Sequence, residues 1–183
     1  MVSRYPKFRP GNVLATAFTG TLSERQGEPV ERLPSPERLV DWLLWQHLMV
    51  SFCSEAELAD AKRLRESIHL IATAAATEEP FPQQPLDTLN EFSAKGQALA
   101  VLTSEAEQEW RLKSASVRDA LSVIAADAIS VISGKRDGKL ALCASPTCRA
   151  AFLDTSRSRT RRWCDMNTCG NREKKVRLRA RKA

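Results

Sequence analysis

Four cysteines in the pattern Cys143-x4-Cys148-x15-Cys164-x4-Cys169 constrain this chain more than any other feature. Two close pairs separated by a short insert can bring four sulfurs to the corners of one tetrahedron. Ala144-Ser145-Pro146-Thr147 fits a tight turn, so the first pair would grip a metal from a single loop. Zinc suits four thiolates, and a closed set of four leaves no position for water or substrate. The expectation is one structural Zn2+ on Cys143, Cys148, Cys164 and Cys169, with no catalytic role. Free thiols or two disulfides are the competing reading. Disulfides need an oxidising compartment, and Met1–Pro10 carries Arg4, Lys7 and Arg9 with no apolar run behind them, unlike an export signal. No stretch is long and apolar enough to span a bilayer. A cytoplasmic chain with no membrane partner is expected. The fifth cysteine, Cys53, follows Phe52 on an apolar segment and reads as a buried small hydrophobe.

The residues around the cysteines predict a fold. Lys139–Cys143 reads as a strand entering the first pair. Arg149–Leu153 and Thr160–Trp163 read as hairpin strands around the polar turn Asp154–Arg159. Cys169 then opens a helix through Gly170 to about Lys182. Knuckle, hairpin and helix in that order look like a treble clef. Placing Cys169 in the first helical turn would turn free backbone N–H groups and the positive end of the helix dipole toward the sulfurs. Phe152, Leu153, Trp163 and Val176 are nearly the whole apolar complement of this segment. So few cannot fold some 40 residues unaided, and the metal must contribute most of the stability.

The same segment is strongly basic. From Cys143 onward there are 12 Lys/Arg against 3 Asp/Glu, while the rest of the chain holds 16 against 19. The overall charge of +6 thus hides a mildly acidic body and a basic tail. Arg157, Arg159, Arg161 and Arg162 cluster just before the predicted helix. Arg172, Lys175 and Arg179 share one of its faces, and Lys174, Arg177 and Arg181 another. Guanidinium groups grip phosphates bidentately and gain affinity by counterion release, so these ten residues form a candidate nucleic-acid contact, DNA first and RNA second. A solvated tail, or one folded back on the acidic body, is the alternative. Arg172 fits equally well as a brace within the module or as a phosphate contact.

Upstream, the chain reads as mainly α-helical. Ser35-Pro36-Glu37 starts a helix running to about Val50, with Leu39, Val40, Leu43, Leu44 and His47 on its apolar side. Ser54-x-x-Glu57 is a capping box opening a helix to about Ala76, with Leu58, Ala61, Leu64, Ile68 and Ile71 in one stripe and Lys62, Arg63, Arg65 and Glu66 largely facing away. A short helix over Leu86–Lys95 follows. Residues 97–113 fit a small β-hairpin better than a helix, and Val13–Phe18 fits either a strand or a helical turn. Ala115–Ser133 is apolar nearly all round and should lie at the bundle centre. Gly134–Gly138 is the hinge, giving a helical domain over 1–135 and a zinc module over 139–183. Hydrophobic residues at 43% support a globular core.

The stretch Trp163-Cys164-Asp165-Met166-Asn167-Thr168-Cys169-Gly170-Asn171-Arg172, preceded by Cys143-x4-Cys148 and Asp154-x-Ser156, resembles the CGNR zinc finger family, whose Cys-Gly-Asn-Arg signature stands complete at 169–172. In that family the finger follows a helical region called the ABATE domain, and Pro36-x-x-Leu39-x-x-Trp42-Leu43 fits its general pattern. The early segment departs from it, with Ala15-Thr16-Ala17-Phe18-Thr19 where an Asn-Thr pair is expected. The resemblance implies a stress-induced transcription regulator with zinc on the four cysteines. On that reading the body would sense a small-molecule ligand or form a homodimer; an RNA-binding or protein-interaction module on the same structural finger is the alternative. Gly170 would let the backbone approach the metal closely, and Asn171 would satisfy backbone groups or a sulfur. An enzyme is not expected. The only histidines, His47 and His69, fall inside predicted helices, and no Ser-His-Asp context, phosphate loop or open metal site is present.

Overall fold

Serine caps set the helical frame. Ser35 Oγ accepts a hydrogen bond from Arg38 N, and Pro36 occupies the first position of α2, Pro36–Trp45. Ser54 and Glu57 form the reciprocal pair that opens α3, Glu55–Thr77: Glu57 N donates to Ser54 Oγ at 3.2 Å and Ser54 N donates to Glu57 Oε2 at 2.8 Å. Ser116 caps α5, Val117–Ile132. In this computed structural model, which describes residues 5–180, α1 (Leu14–Thr19) and α4 (Gln83–Lys95) complete the N-terminal bundle. Val13–Phe18 therefore resolves as a helix. No helix among the described residues is long and apolar enough to cross a membrane.

Helix α5 lies at the centre, packed on α1, α3 and α4. Ala120, Ile124, Ala125 and Ala128 are fully buried, against Phe18, Trp42, Leu43, Leu64 and Ile71. Helix α2 stops at Trp45, short of the expected Val50. His47 takes a left-handed φ of 59°, and Leu48 N returns to Leu43 O at 2.9 Å. The buried stripe of α2 is Leu39, Trp42 and Leu43; Leu44 and His47 face outward. Cys53 is buried as expected, and burial pushes its thiol up to about 11.

Among the described residues, three two-stranded antiparallel sheets accompany the helices. The predicted hairpin forms as β3 (Ala98–Leu102) on β4 (Gln108–Leu112), with Ala100 opposite Trp110. A minimal pair, β1 (Leu22–Ser23) on β2 (Val30–Glu31), has no counterpart in the sequence reading. It explains the largest misplacement on α3. Arg65 is buried, not outward, because its guanidinium meets Glu31 bidentately at 2.7 and 2.8 Å and Thr21 Oγ1 at 3.2 Å.

The third sheet belongs to the cysteine segment and corrects its predicted strands. β5 (Lys139–Leu142) pairs with β6 (Ala151–Asp154), Leu140 opposite Leu153, so the hairpin closes across the first cysteine pair. Thr160–Trp163 is not a strand. The buried Asp154 carboxylate folds residues 155–161 into a loop instead, accepting from Ser156 N at 2.9 Å and Arg161 N at 2.8 Å. Gly138 turns the chain into β5 where any Cβ would lie 2.6 Å from the Leu153 side chain. This sheet packs against α3 and α1.

His69 sits half-buried on the side of α3 that looks toward Leu142, Pro146 and Arg149. Burial, reinforced by Arg25 and Arg65 and opposed by Glu66, lowers it from 6.5 to about 4. The folded state therefore favours neutral imidazole while the unfolded chain takes up a proton below 6.5. This residue's contribution to stability is intact at neutral pH and lost as pH falls from 6.5 to 4. His69→Gln is expected to flatten the unfolding free energy over that window relative to the parent chain. Equal slopes in denaturant titrations at pH 7, 5.5 and 4.5 would refute the assignment.

Candidate metal centre and basic surface

The first knuckle is a turn closed by backbone bonds. Cys148 N donates to Ser145 O at 3.1 Å, Arg149 takes a left-handed φ of 48°, and Cys143 N returns to Ala150 O at 2.9 Å. The second pair is shaped by Asp165, whose carboxylate accepts from Asn167 N at 3.0 Å and Thr168 Oγ1 at 2.7 Å. A single π turn, Met166–Gly170, presents Cys169, and α6, Asn171–Ala180, begins behind it. The helix thus starts two residues later than expected. Its reading to Lys182 ends outside the described residues. The two knuckles are tied together by Ala144 N donating to Arg162 O at 2.8 Å.

Four sulfurs converge. Cys164 Sγ lies 3.6 Å from both Cys148 Sγ and Cys169 Sγ, and all four ligand atoms fall within 4.8 Å of one another. A tetrahedral zinc at about 2.3 Å from each sulfur needs sulfurs about 3.8 Å apart. All five cysteines are free thiols, so the disulfide reading fails. Cys143, Cys148 and Cys169 are buried and Cys164 is half-exposed. Hydrogen bonding from Cys148 drives the Cys143 thiol far below its usual range, while Cys143 drives Cys148 and Cys164 far above it. Sulfurs this crowded favour a divalent cation that ionises all four. The donor set fits zinc: soft, tetrahedral, closed, and supported by an Arg172 Nη2 donor at 3.4 Å from Cys169 Sγ.

Arg172 is bonded within the fold, as the brace reading expects. Besides Cys169 it donates to Ser145 Oγ at 3.0 Å and to Glu24 Oε2 at 2.7 Å. Glu24 also accepts from Thr147 Oγ1 at 2.8 Å, and Gln26 N donates to Thr147 O at 3.0 Å. One arginine thus joins α6, both knuckles and the bundle. Glu24, Ser145 and Thr147 carried no signal in the sequence, since the bond from Arg172 to Glu24 spans 148 positions. Glu24→Gln is expected to cost about 1–3 kcal/mol by weakening a buried charged hydrogen bond while the zinc content stays unchanged. An unaltered midpoint in chemical unfolding would remove the brace from the account.

The other signature residues also have structural duties. A Cβ on Gly170 would stand 2.8 Å from Met166 Sδ and 3.2 Å from Trp163 Cδ1, so those side chains close over the glycine. Asn171 Nδ2 donates to Asn167 O at 3.3 Å, satisfying the π turn's backbone. Val176 is 54% exposed and belongs to no core. Phe152 packs beside the cysteines with Trp163 partly buried against them, and Leu153 is buried next to it in β6.

The ten basic candidates separate into two sets. Arg159, Arg161 and Arg172 are engaged. Arg159 donates to Asp137 and to Asp154 O, both at 2.6 Å. Arg161 donates to Trp163 O at 2.7 Å and to Cys164 O, and stands 5.1 Å over the Phe152 ring. Arg157, Arg162, Lys174, Lys175, Arg177 and Arg179 are exposed, and among the described residues none of them pairs with an acid. Arg162 stacks 5.2 Å from Trp163. Arg181 lies outside the described residues.

Comparison with known families places two profiles side by side. Residues 12–135 match ABATE, described as "Putative stress-induced transcription regulator", and residues 139–182 match the CGNR zinc finger. No curated protein matches the chain.

Proposed function

Since the chain belongs to the ABATE family and carries a CGNR zinc finger, we propose that it is a DNA-binding transcription regulator of the cytoplasm whose zinc module grips the phosphate backbone, and that it is not an enzyme. The observation that carries this reading is that six of the ten candidate cations are exposed, none of them paired with an acid among the described residues, while the arginines beside them are bonded into the scaffold. A merely solvated tail has no need of a metal-fixed base. Here α6 leaves the zinc site directly, and no residue along it is buried. Zinc sets the shape, and the cations supply affinity through counterion release.

Fluorescence anisotropy with labelled duplex DNA, titrated at several salt concentrations, tests the reading. Six phosphate contacts predict log K falling against log salt with a slope of about −5. Tighter binding to single-stranded RNA of equal length would move the assignment to RNA on the same surface. No binding to either polymer at low salt would overturn it.

A further inference from the structure

The bundle and the module do not meet flush. A cleft of about 250 Å3 lies between the α1 end of the bundle and the two cysteine loops. Sites between packed units are where small ligands most often bind. The apolar part of the lining comes from Pro10, Ala17 and Phe152. The polar part is one-sided in its hydrogen bonding. The acceptors facing the cleft are already committed: both Asp165 oxygens hold the π turn, and Asn12 Oδ1 accepts from Thr16 Oγ1 at 3.4 Å. Asn12 Nδ2 is committed as well, donating to Leu153 O at 2.7 Å.

The donors are only partly committed. Arg9 makes no hydrogen bond among the described residues and is held by a long ion pair to Glu24 Oε1 at 3.8 Å. Arg161 has its Nε and one Nη2 donor engaged and its Nη1 group without a partner among the described residues. Ser23 Oγ accepts from Arg32 Nη1 at 2.8 Å and retains its own proton. Two guanidinium groups and a buried hydroxyl facing an apolar wall select a small molecule with an acidic, acceptor-rich end and a short hydrocarbon body.

We propose that this seam binds a small organic carboxylate, held at Arg9, Arg161 and Ser23 with its hydrocarbon part against Ala17 and Phe152. Binding at that point touches both units at once. Arg161 and Phe152 belong to the module and carry the second cysteine loop, whereas Arg9, Ala17 and Ser23 belong to the bundle. Occupancy would therefore alter how firmly the module is seated. Glu24 keeps Arg172 and Thr147 when Arg9 turns to the ligand.

The test uses the zinc-loaded full chain with no nucleic acid, so its failure is separate from any failure of the DNA reading. Benzoate and succinate are titrated while backbone amide resonances are followed by NMR, with benzamide as the neutral isostere and inorganic phosphate as the anion lacking a hydrocarbon part. At least one carboxylate is expected to shift the amides of Asn12, Ala17 and Ala151 saturably, with Kd of about 1 mM or tighter. Benzamide and phosphate should each bind at least about tenfold more weakly. Arg9→Gln should weaken carboxylate binding by about tenfold or more while zinc content stays unchanged; the thermal midpoint should fall modestly, because Glu24 Oε1 loses its ion pair. The proposal falls if neither carboxylate moves the seam amides, if benzamide or phosphate binds as well, or if Arg9→Gln leaves the affinity unchanged.

Discussion

Cys143→Ser is expected to leave the chain without zinc and the module without a fold. Cys143 is fully buried where β5 ends, and its backbone closes the first knuckle onto Ala150. A serine hydroxyl there cannot match a thiolate as a zinc ligand. The three remaining sulfurs are left crowded and without the cation that reconciles them. Structural zinc contributes on the order of 10 kcal/mol to small sites of this kind. The module has little else: Phe152 and Leu153 are its large buried apolar side chains beyond the cysteines. The bundle should survive, because its core from Ala15 to Ala128 includes no module residue. Zinc per chain should fall from about one to none, and amide resonances from 139 to 180 should collapse toward random coil while those of α5 persist. Retention of stoichiometric zinc, or an intact module without it, would contradict this energetic account.

The second large effect concerns the basic helix. Replacing Lys174, Lys175 and Arg177 together with glutamine removes three exposed cations that pair with no acid among the described residues. Nucleic-acid affinity should drop by about two to three orders of magnitude at low salt, and the salt slope should flatten by roughly one for each cation removed. Arg172→Gln should behave differently. It breaks bonds to Glu24, Ser145 and Cys169, so it should lower the thermal midpoint and leave the salt slope nearly unchanged. If the triple variant binds as the parent does, or if Arg172→Gln alone flattens the slope, then the division of the basic residues into grip and brace is mistaken.

What the sequence disclosed follows the range of the interactions. Two helix starts were readable because Ser35 and Ser54 act on groups three residues away. The metal set was readable because a closed tetrahedron demands a recognisable spacing of sulfurs. The β3–β4 hairpin was readable as two short segments, Ala98–Leu102 and Trp110–Leu112, on either side of a polar stretch. Arg65 was misplaced because the acid that admits it to the interior, Glu31, stands 34 positions away on a two-residue strand. The second strand of the module was misplaced because Asp154 captures the amides of the following loop and outcompetes the β propensity of Thr160–Trp163. A side chain that can reach backbone donors nearby readily defeats a pattern read from propensity alone. Arginine was the least legible type. Arg161 and Arg179 look alike in sequence, yet one is fastened to two carbonyls beside the metal and the other is exposed.

The most direct test is elemental analysis of the chain purified without reductant, combined with intact mass after thiol alkylation. Four thiolates closing on one ion predict about one zinc per chain, with four cysteines protected from alkylation until a chelator is added. A chain that carries no zinc, or whose four cysteines alkylate freely or prove linked as disulfides, would contradict the account at its foundation.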